Sequence, residues 1–121
     1  MAAYDPENIF AKILRDEIPS DRVYEDDEFV AFRDIAPSAP VHVLLIPRGE
    51  APTGPQSFTE ADEAMLGRMT LTATRIAREL GLEDGGYRLV LNNGLDAGQT
   101  VFHVHMHILG GGPLGPVASG G

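Results

Sequence analysis

Hydrophobic and polar residues alternate most regularly near the end of the chain, between residues 101 and 109. Every second residue there is apolar, and three of the four histidines occupy the positions between. The apolar series is Phe102, Val104, Met106 and Ile108, and the polar series is His103, His105 and His107. A period of two is typical of a β-strand with one buried face. The pattern predicts a strand whose apolar side chains enter the core and whose three imidazoles share the opposite face.

Other apolar stretches predict four further strands. Residues 23–25 and 29–33 flank three acidic residues and predict a hairpin. Residues 41–46 are mostly apolar and predict a buried strand that ends at Pro47. Residues 87–92 predict another strand, which precedes the loop leading to the histidines. The strands therefore occur in consecutive runs.

Two stretches have the spacing of amphipathic helices. Residues 8–15 predict a short helix that stops before Pro19. A long helix is predicted over roughly residues 58–80, beginning at a capping box that spans residues 57–60 and ending at Gly81. Its predicted inner face consists of Met65, Met69, Thr72, Ile76 and Leu80.

This order of elements predicts an α+β fold. We expect a mainly antiparallel five-stranded sheet with one long and one short helix, both helices on one face. At 121 residues, the chain is expected to form one domain over residues 1–121. The sequence contains no internal repeat and no linker-like boundary.

Composition and charge narrow the classes of partner. The formal net charge of -9 argues against a nucleic acid or an anionic membrane, which both require a basic surface. With no cysteine, disulfides, thiolate nucleophiles and cysteine zinc sites are excluded. The longest aliphatic run, residues 43–46, is far too short to span a bilayer. We expect a soluble cytoplasmic protein; a small anionic ligand remains compatible with the charge.

The three alternating histidines support three interpretations. Imidazoles at every second position of a strand can share one zinc ion. One neutral imidazole can instead act as a nucleophile while its neighbours orient it and handle protons. The third interpretation is that the histidines only cover a solvated face of the sheet.

The loop before the histidines favours phosphate chemistry. Glycines and polar side chains are concentrated between residues 92 and 100. Backbone amides and a hydroxyl in such a loop suit the phosphate oxygens, on which charge grows during nucleophilic attack. A zinc site has less use for such donors, and Asp96 is the one carboxylate nearby in sequence.

These residues identify a family resemblance. Residues 98–108 read Gly-Gln-Thr-Val-Phe-His-Val-His-Met-His-Ile, which resembles the histidine triad motif His-x-His-x-His interleaved with hydrophobic residues. Earlier segments are similar to the Hint branch of that superfamily, namely residues 9–13, 18–19, 24–26, 31–37, 39–42, 46–47 and 86–90, with Asn92. The resemblance runs from about residue 7 to about residue 112, which leaves residues 113–121 as a flexible tail.

The resemblance implies a fold, a ligand and a reaction. It implies a homodimer whose two sheets join edge to edge, and a purine nucleotide or nucleoside phosphoramidate as ligand. Members of this branch hydrolyse the bond between an AMP or GMP phosphate and an amine without a metal, so no cofactor is expected. The reaction proceeds through a nucleotidyl-histidine intermediate.

The resemblance also implies a role for particular positions. His105 matches the nucleophile, His107 the neighbour that contacts the phosphate, and His103 and His42 the imidazoles that orient the nucleophile. Thr100 stands where serine is common in this branch and keeps a hydroxyl that can relay a proton. Nucleotide-binding positions are Asp34 for the ribose hydroxyls, Ile35 beside the nucleoside, and Asn92, Gly98, Gln99 and Val101 in the phosphate loop.

Three alternatives to this function are open. Within the superfamily, the chain could be a dinucleoside polyphosphate hydrolase of the Fhit type. It could also be a binding or sensing protein that holds a purine nucleotide without turning it over. A zinc protein is the third alternative.

Overall fold

A computed structural model describes residues 3–118 of the chain. Two α-helices and five β-strands follow one another in the order α1, β1, β2, β3, α2, β4, β5. Their bounds are Ile9–Leu14 (α1), Arg22–Glu25 (β1), Phe29–Arg33 (β2), Val41–Pro47 (β3), Glu63–Glu79 (α2), Tyr87–Leu91 (β4) and Met106–Gly110 (β5). Short 3₁₀ turns lie at Pro55–Ser57, Glu60–Asp62 and Leu95–Ala97.

The strands form one sheet in the order β1-β2-β3-β5-β4, and every neighbouring pair is antiparallel. The predicted α+β fold and the predicted hairpin of β1 and β2 are confirmed. In the centre of the sheet, Leu44 of β3 lies opposite His107 of β5, and His42 lies opposite Leu109. His42 and His107 are therefore diagonal neighbours on one face.

The two helices cover opposite faces of the sheet. The core under α2 includes Phe29, Val43 and Leu45, whereas the core under α1 includes Val30 and Leu44. The expectation that both helices lie on one face was wrong. Four consecutive residues of β2 and six of β3 are buried, so both faces of these strands require apolar cover.

Helix α2 begins later than predicted, because residues 60–62 form a 3₁₀ turn before it. The capping box lies at Thr59 and Asp62 rather than at residues 57–60: the Thr59 N–H donates to Asp62 Oδ2 at 2.9 Å. At the other end, Gly81 has φ of 76° and follows the last helical turn. The predicted inner face and the glycine stop are confirmed.

The histidine strand is shorter than the alternation predicts. Strand β5 begins at Met106, so residues 101–105 precede it in irregular conformation. The Val104 N–H donates to the carbonyl of Pro52 at 2.8 Å, a loop contact in place of a sheet partner. Val104, Met106 and Ile108 are buried as predicted, whereas Phe102 is only partly buried.

Part of the segment after β5 lies beside β4. Residues 113–118 contain neither helix nor strand, and residues 119–121 of the predicted tail lie outside the described residues. Arg88 of β4 donates from Nη2 to the carbonyl of Gly115 at 2.9 Å. The flexibility of the tail stays a prediction. In the described part of the chain, neither helix has the length and apolar character needed to cross a membrane.

Candidate active site

Three imidazoles and one carboxylate meet on the face of the sheet that carries α1. His42 Nε2 lies 2.8 Å from His107 Nδ1 and 3.5 Å from Asp34 Oδ2. The His105 and His107 rings are 5.1 Å apart, centre to centre. Asn92, just beyond β4, places its amide nitrogen 3.5 Å from His107 Nε2. The structure thus joins β3, β4, β5 and the loop after β2 in one cluster.

Backbone contacts fix the tautomer of His42 and, through it, that of His107. The Ser38 N–H donates to His42 Nδ1 at 3.0 Å. A neutral His42 therefore carries its proton on Nε2 and donates it to His107 Nδ1 at 2.8 Å. A neutral His107 then carries its own proton on Nε2, where it can donate to a ligand oxygen.

A different backbone contact fixes His105. Its Nδ1 lies 2.8 Å from the main-chain carbonyl of His103. A carbonyl can only accept, so the proton of neutral His105 is on Nδ1 and the lone pair is on Nε2. The Phe10 ring packs edge-on against this imidazole, with 4.8 Å between ring centres. His105 is held in the tautomer that a nucleophile at Nε2 requires.

His103 lies deeper than the other histidines and is fully buried. Its Nε2–H donates to the carbonyl of Pro47 at 2.8 Å, and its Nδ1 accepts from the Tyr4 hydroxyl at 2.8 Å. The hydrogen bond between His103 and the His105 ring is made by the main-chain carbonyl of His103. Sequence reasoning missed Tyr4, because a single tyrosine outside any motif gave no signal.

Burial keeps the four imidazoles uncharged at neutral pH. It lowers the pKa of His103 to about 4 and, together with the nearby His105 and His42, lowers the pKa of His107 to about 4. Burial also lowers the pKa of His42 and of His105, while the Asp34 carboxylate acts in the opposite direction on both. These groups are thus available as neutral donors and acceptors.

Gln99 lies in the loop that the resemblance matches to the phosphate, and its side chain is turned into the protein. Its side chain is 1% exposed, and its Nε2 donates to the carbonyls of Thr53 and Val101 at 2.7 and 3.1 Å. Its Oε1 accepts from the Gly94 N–H at 2.8 Å. Because these bonds use both ends of the amide, Gln99 fixes the shape of the loop and has no side-chain donor turned toward a ligand.

The other predicted residues lie on the loops around the cluster. Ile35 is 97% exposed next to Asp34, and Thr100 is also exposed. Gly98 has φ of 84°, a left-handed conformation that favours glycine, and Val101 packs against the core under α1. The contacts of these residues with a nucleotide stay predictions.

The zinc alternative requires the cluster to rearrange. Asp34, His42 and His107 offer ligand atoms that all lie within 4.8 Å of one another. However, His42 Nε2 and His107 Nδ1 share a hydrogen bond of 2.8 Å. Two nitrogen ligands of a tetrahedral zinc ion would stand roughly 3.3 Å apart and would both need free lone pairs. A metal would have to break this bond, so the arrangement favours proton and phosphate chemistry.

The histidine cluster does not lie in the large groove on the protein surface. A groove of about 720 Å³ lies between the end of α2, the start of β4 and residues 111–114, and none of the four histidines lines it. The cluster of imidazoles lies elsewhere, where His42 of β3 and His107 of β5 are diagonal neighbours. Its chemistry rather than its volume marks it as the functional site.

Comparison with known proteins agrees with the fold and identifies the family. A family model described as HIT domain matches residues 15–114. The chain is 52% identical over 111 residues to the purine nucleoside phosphoramidase of Escherichia coli (strain K12), covering 92% of each protein. The chain therefore belongs to the HIT domain family, and the resemblance to the histidine triad superfamily is confirmed.

Solved structures give the same result. A HIT family hydrolase from Clostridium thermocellum superimposes with a TM-score of 0.85 at 43% identity, covering 91% of this chain and 95% of that one. A histidine triad protein from Clostridium difficile gives a TM-score of 0.87 at 36% identity, with coverage of 94% and 98%. These relatives support both the fold and a hydrolase activity.

Proposed function

We propose that this protein hydrolyses purine nucleoside phosphoramidates and releases AMP or GMP and an amine. The observation that carries the proposal is the hydrogen bond from His105 Nδ1–H to the His103 carbonyl, which leaves the Nε2 lone pair for attack. The name of the similar E. coli protein, purine nucleoside phosphoramidase, supports the substrate class.

In the first proposed step, His105 Nε2 attacks phosphorus and the bond from phosphorus to the amine nitrogen breaks. The electron pair goes to that nitrogen, which takes a proton from water through the exposed Thr100 hydroxyl. The hydroxide left behind is neutralised by the proton that the attacking water releases in the second step. His105 becomes a nucleotidyl imidazolium whose positive charge is stabilised by the His103 carbonyl and the Asp34 carboxylate. His107 Nε2–H donates to a phosphoryl oxygen.

In the second proposed step, water attacks phosphorus and displaces the histidine. The electron pair of the bond from phosphorus to nitrogen returns to His105 Nε2, and the proton lost by water leaves by the same relay. AMP or GMP is released, and His105 is again neutral. No step requires a metal or another cofactor.

The nucleoside is proposed to lie beside the loop after β2. Asp34 accepts from the Ala36 N–H through Oδ1 at 2.8 Å, which holds the carboxylate at the edge of the cluster. Its second oxygen can then accept from a ribose hydroxyl, while the exposed Ile35 side chain packs against the base. Asn92, the loop at Gly98 and the Thr100 amide are proposed to surround the phosphate.

Hydrolysis of adenosine 5'-phosphoramidate tests the proposal. We expect turnover with and without a chelator, and a burst of amine in the first turnover as the nucleotidyl-histidine accumulates. Acid quenching should trap nucleotide on the protein. Turnover that needs a metal would favour the zinc alternative, and AMP binding without turnover would favour a sensor.

A comparison of substrates separates the two hydrolases of the superfamily. The ratio of kcat/KM for adenosine 5'-phosphoramidate to that for a diadenosine polyphosphate should favour the phosphoramidate. A ratio in favour of the dinucleotide would show that the protein is a hydrolase of the Fhit type.

The activity should decrease in acid as His105 becomes protonated. Because burial lowers the pKa of His105 from its usual 6.5, the acid limb of kcat/KM should have its midpoint below pH 6.5. Steady-state rates from pH 4 to pH 8 give this midpoint. A midpoint above pH 6.5 would contradict a buried neutral nucleophile.

Loss of fold must be separated from this effect. Unfolded histidines take up protons near pH 6.5, whereas His103 and His107 in the folded state do so at about 4. Between these values the unfolded state binds more protons, so the free energy of unfolding decreases as the pH falls from 6.5 to 4. Urea unfolding at each pH defines the range in which the rates can be interpreted.

We further propose that the protein is a homodimer. β4 lies at one edge of the sheet and pairs with β5 on one side. An open edge strand is a template for pairing with another chain, and the resemblance implies sheets joined edge to edge. We expect light scattering to give a mass near twice 13.0 kDa. A mass of one chain, independent of concentration, would contradict the dimer.

The cytoplasmic location stays a prediction. Cell fractionation of the native protein tests it, and recovery with membranes or in the medium would contradict it.

A further inference from the structure

We propose that Tyr4 is a positioning residue for the nucleophile, acting through the buried His103. This inference rests on the proposed function, because it assumes that His105 attacks phosphorus. It extends the site to the segment before α1, where none of the predicted site residues lies.

The contacts of Tyr4 are with His103. Its hydroxyl lies 2.8 Å from His103 Nδ1, and the two rings are 5.6 Å apart at a tilt of 58°. Tyr4 and His103 are 99 residues apart in sequence. The side chain of Tyr4 is partly buried although the residue lies outside any helix or strand.

The direction of each hydrogen bond follows from its partners. Pro47 offers a carbonyl, so the proton of His103 must be on Nε2 to donate at 2.8 Å. Neutral His103 then has its lone pair on Nδ1, and the Tyr4 hydroxyl donates to it. Both ring nitrogens of a fully buried imidazole are satisfied in this way.

This anchoring matters because the sheet does not hold the segment. Residues 101–105 precede β5 and pair with no strand in the sheet. The Val104 N–H instead bonds to the carbonyl of Pro52, and the His103 ring to the carbonyl of Pro47 at the end of β3. The His103 ring, fixed between Tyr4 and Pro47, sets the position of the His103 main chain. The carbonyl of that same residue accepts the Nδ1–H of His105. Tyr4 therefore acts on the nucleophile through two hydrogen bonds. Its hydroxyl holds the His103 ring, and the His103 carbonyl holds the His105 ring.

Tyr4→Phe removes the hydroxyl and keeps the ring that packs against His103. We expect kcat for adenosine 5'-phosphoramidate to fall roughly tenfold, the effect of one hydrogen bond, while KM stays nearly constant. Tyr24→Phe is the matched control: it also removes a hydroxyl that donates within 2.7 Å, to Asp26 Oδ2, but in the hairpin of β1 and β2. That control should change kcat by about twofold at most.

Nitrogen-15 NMR of the histidines gives a readout that a merely structural role would not move. Correlations of ring nitrogens with ring carbon-bound protons report the tautomer of each of the four histidines. The native protein should show His105 protonated on Nδ1 alone. In Tyr4→Phe we expect His105 to populate both tautomers, and in Tyr24→Phe the native pattern should persist.

The outcomes separate this inference from the proposed function. An unchanged kcat with an unchanged His105 tautomer in Tyr4→Phe would overturn the role of Tyr4. Equal losses in Tyr4→Phe and Tyr24→Phe would also overturn it, because they would reflect general destabilisation. If the native protein does not hydrolyse the substrate, the proposed function fails, and the NMR comparison alone decides whether Tyr4 orients His105.

Discussion

Replacing His105 by asparagine is expected to lower kcat for adenosine 5'-phosphoramidate by at least about 10⁴-fold, the scale of removing a covalent nucleophile. The asparagine amide N–H can occupy approximately the place of Nδ1–H, which donates to the His103 carbonyl at 2.8 Å. The substitution therefore keeps the local hydrogen bond and removes Nε2, the atom that is proposed to attack phosphorus.

The fold and the ligand site should survive this substitution. His105 packs against Phe10 and beside His107, so thermal unfolding and AMP binding must be measured together with the rates. We expect the variant to bind AMP and to show neither a burst of amine nor trapped nucleotide. Turnover within about tenfold of the native rate, with AMP binding retained, would exclude His105 as the nucleophile.

Most of the fold was accessible from the sequence because its signals are local. The spacing of apolar residues in α2 and the glycine after it predicted the inner face and the end of the helix. The start of α2 was less accessible: the capping box was predicted at residues 57–60, whereas Thr59 and Asp62 form it around a 3₁₀ turn that precedes the helix. The apolar run of β3 predicted a buried strand, but the pattern of β2 indicated only a hairpin, and the cover on both faces of these strands was not predicted.

The histidine segment shows where local pattern fails. Alternation from Phe102 to Ile108 predicted one continuous strand, yet the Val104 N–H bonds to Pro52 and the His103 ring bonds to Pro47. These partners lie about fifty residues earlier in the chain and carry no periodic signal. The sequence identified the histidines as the centre of the site, but the partner of each ring nitrogen required the structure.

The same limit explains the difference at Gln99. A glutamine in a glycine-bearing loop before histidines has the composition of a phosphate-binding group. Its amide is instead buried against Thr53, Gly94 and Val101. Composition does not distinguish a side-chain donor that faces a ligand from one that holds its own loop in shape. The distinction depends on which other loop packs against that side chain.

Replacing Asp34 by asparagine should raise KM for the ribonucleoside phosphoramidate by roughly 10- to 150-fold, the effect of losing hydrogen bonds to a charged group. Asparagine is preferable to alanine, because its carbonyl oxygen can still accept from the Ala36 N–H, which Asp34 Oδ1 binds at 2.8 Å. The loop is therefore preserved, while the negative charge proposed to hold the ribose hydroxyls is removed.

A 2'-deoxyadenosine phosphoramidate completes a double-mutant cycle with this variant. If Asp34 binds the ribose hydroxyls, removing the carboxylate charge should cost much less when one hydroxyl is already absent. Equal increases in KM for both substrates would assign Asp34 to the histidine cluster instead, where its Oδ2 lies 3.5 Å from His42 Nε2.

The acid limb of kcat/KM provides an independent check: the Asp34 charge raises the pKa of His105, so its loss should move the midpoint to lower pH. A change in KM confined to the ribonucleotide, with that shift in the acid limb, would establish both functions of one carboxylate.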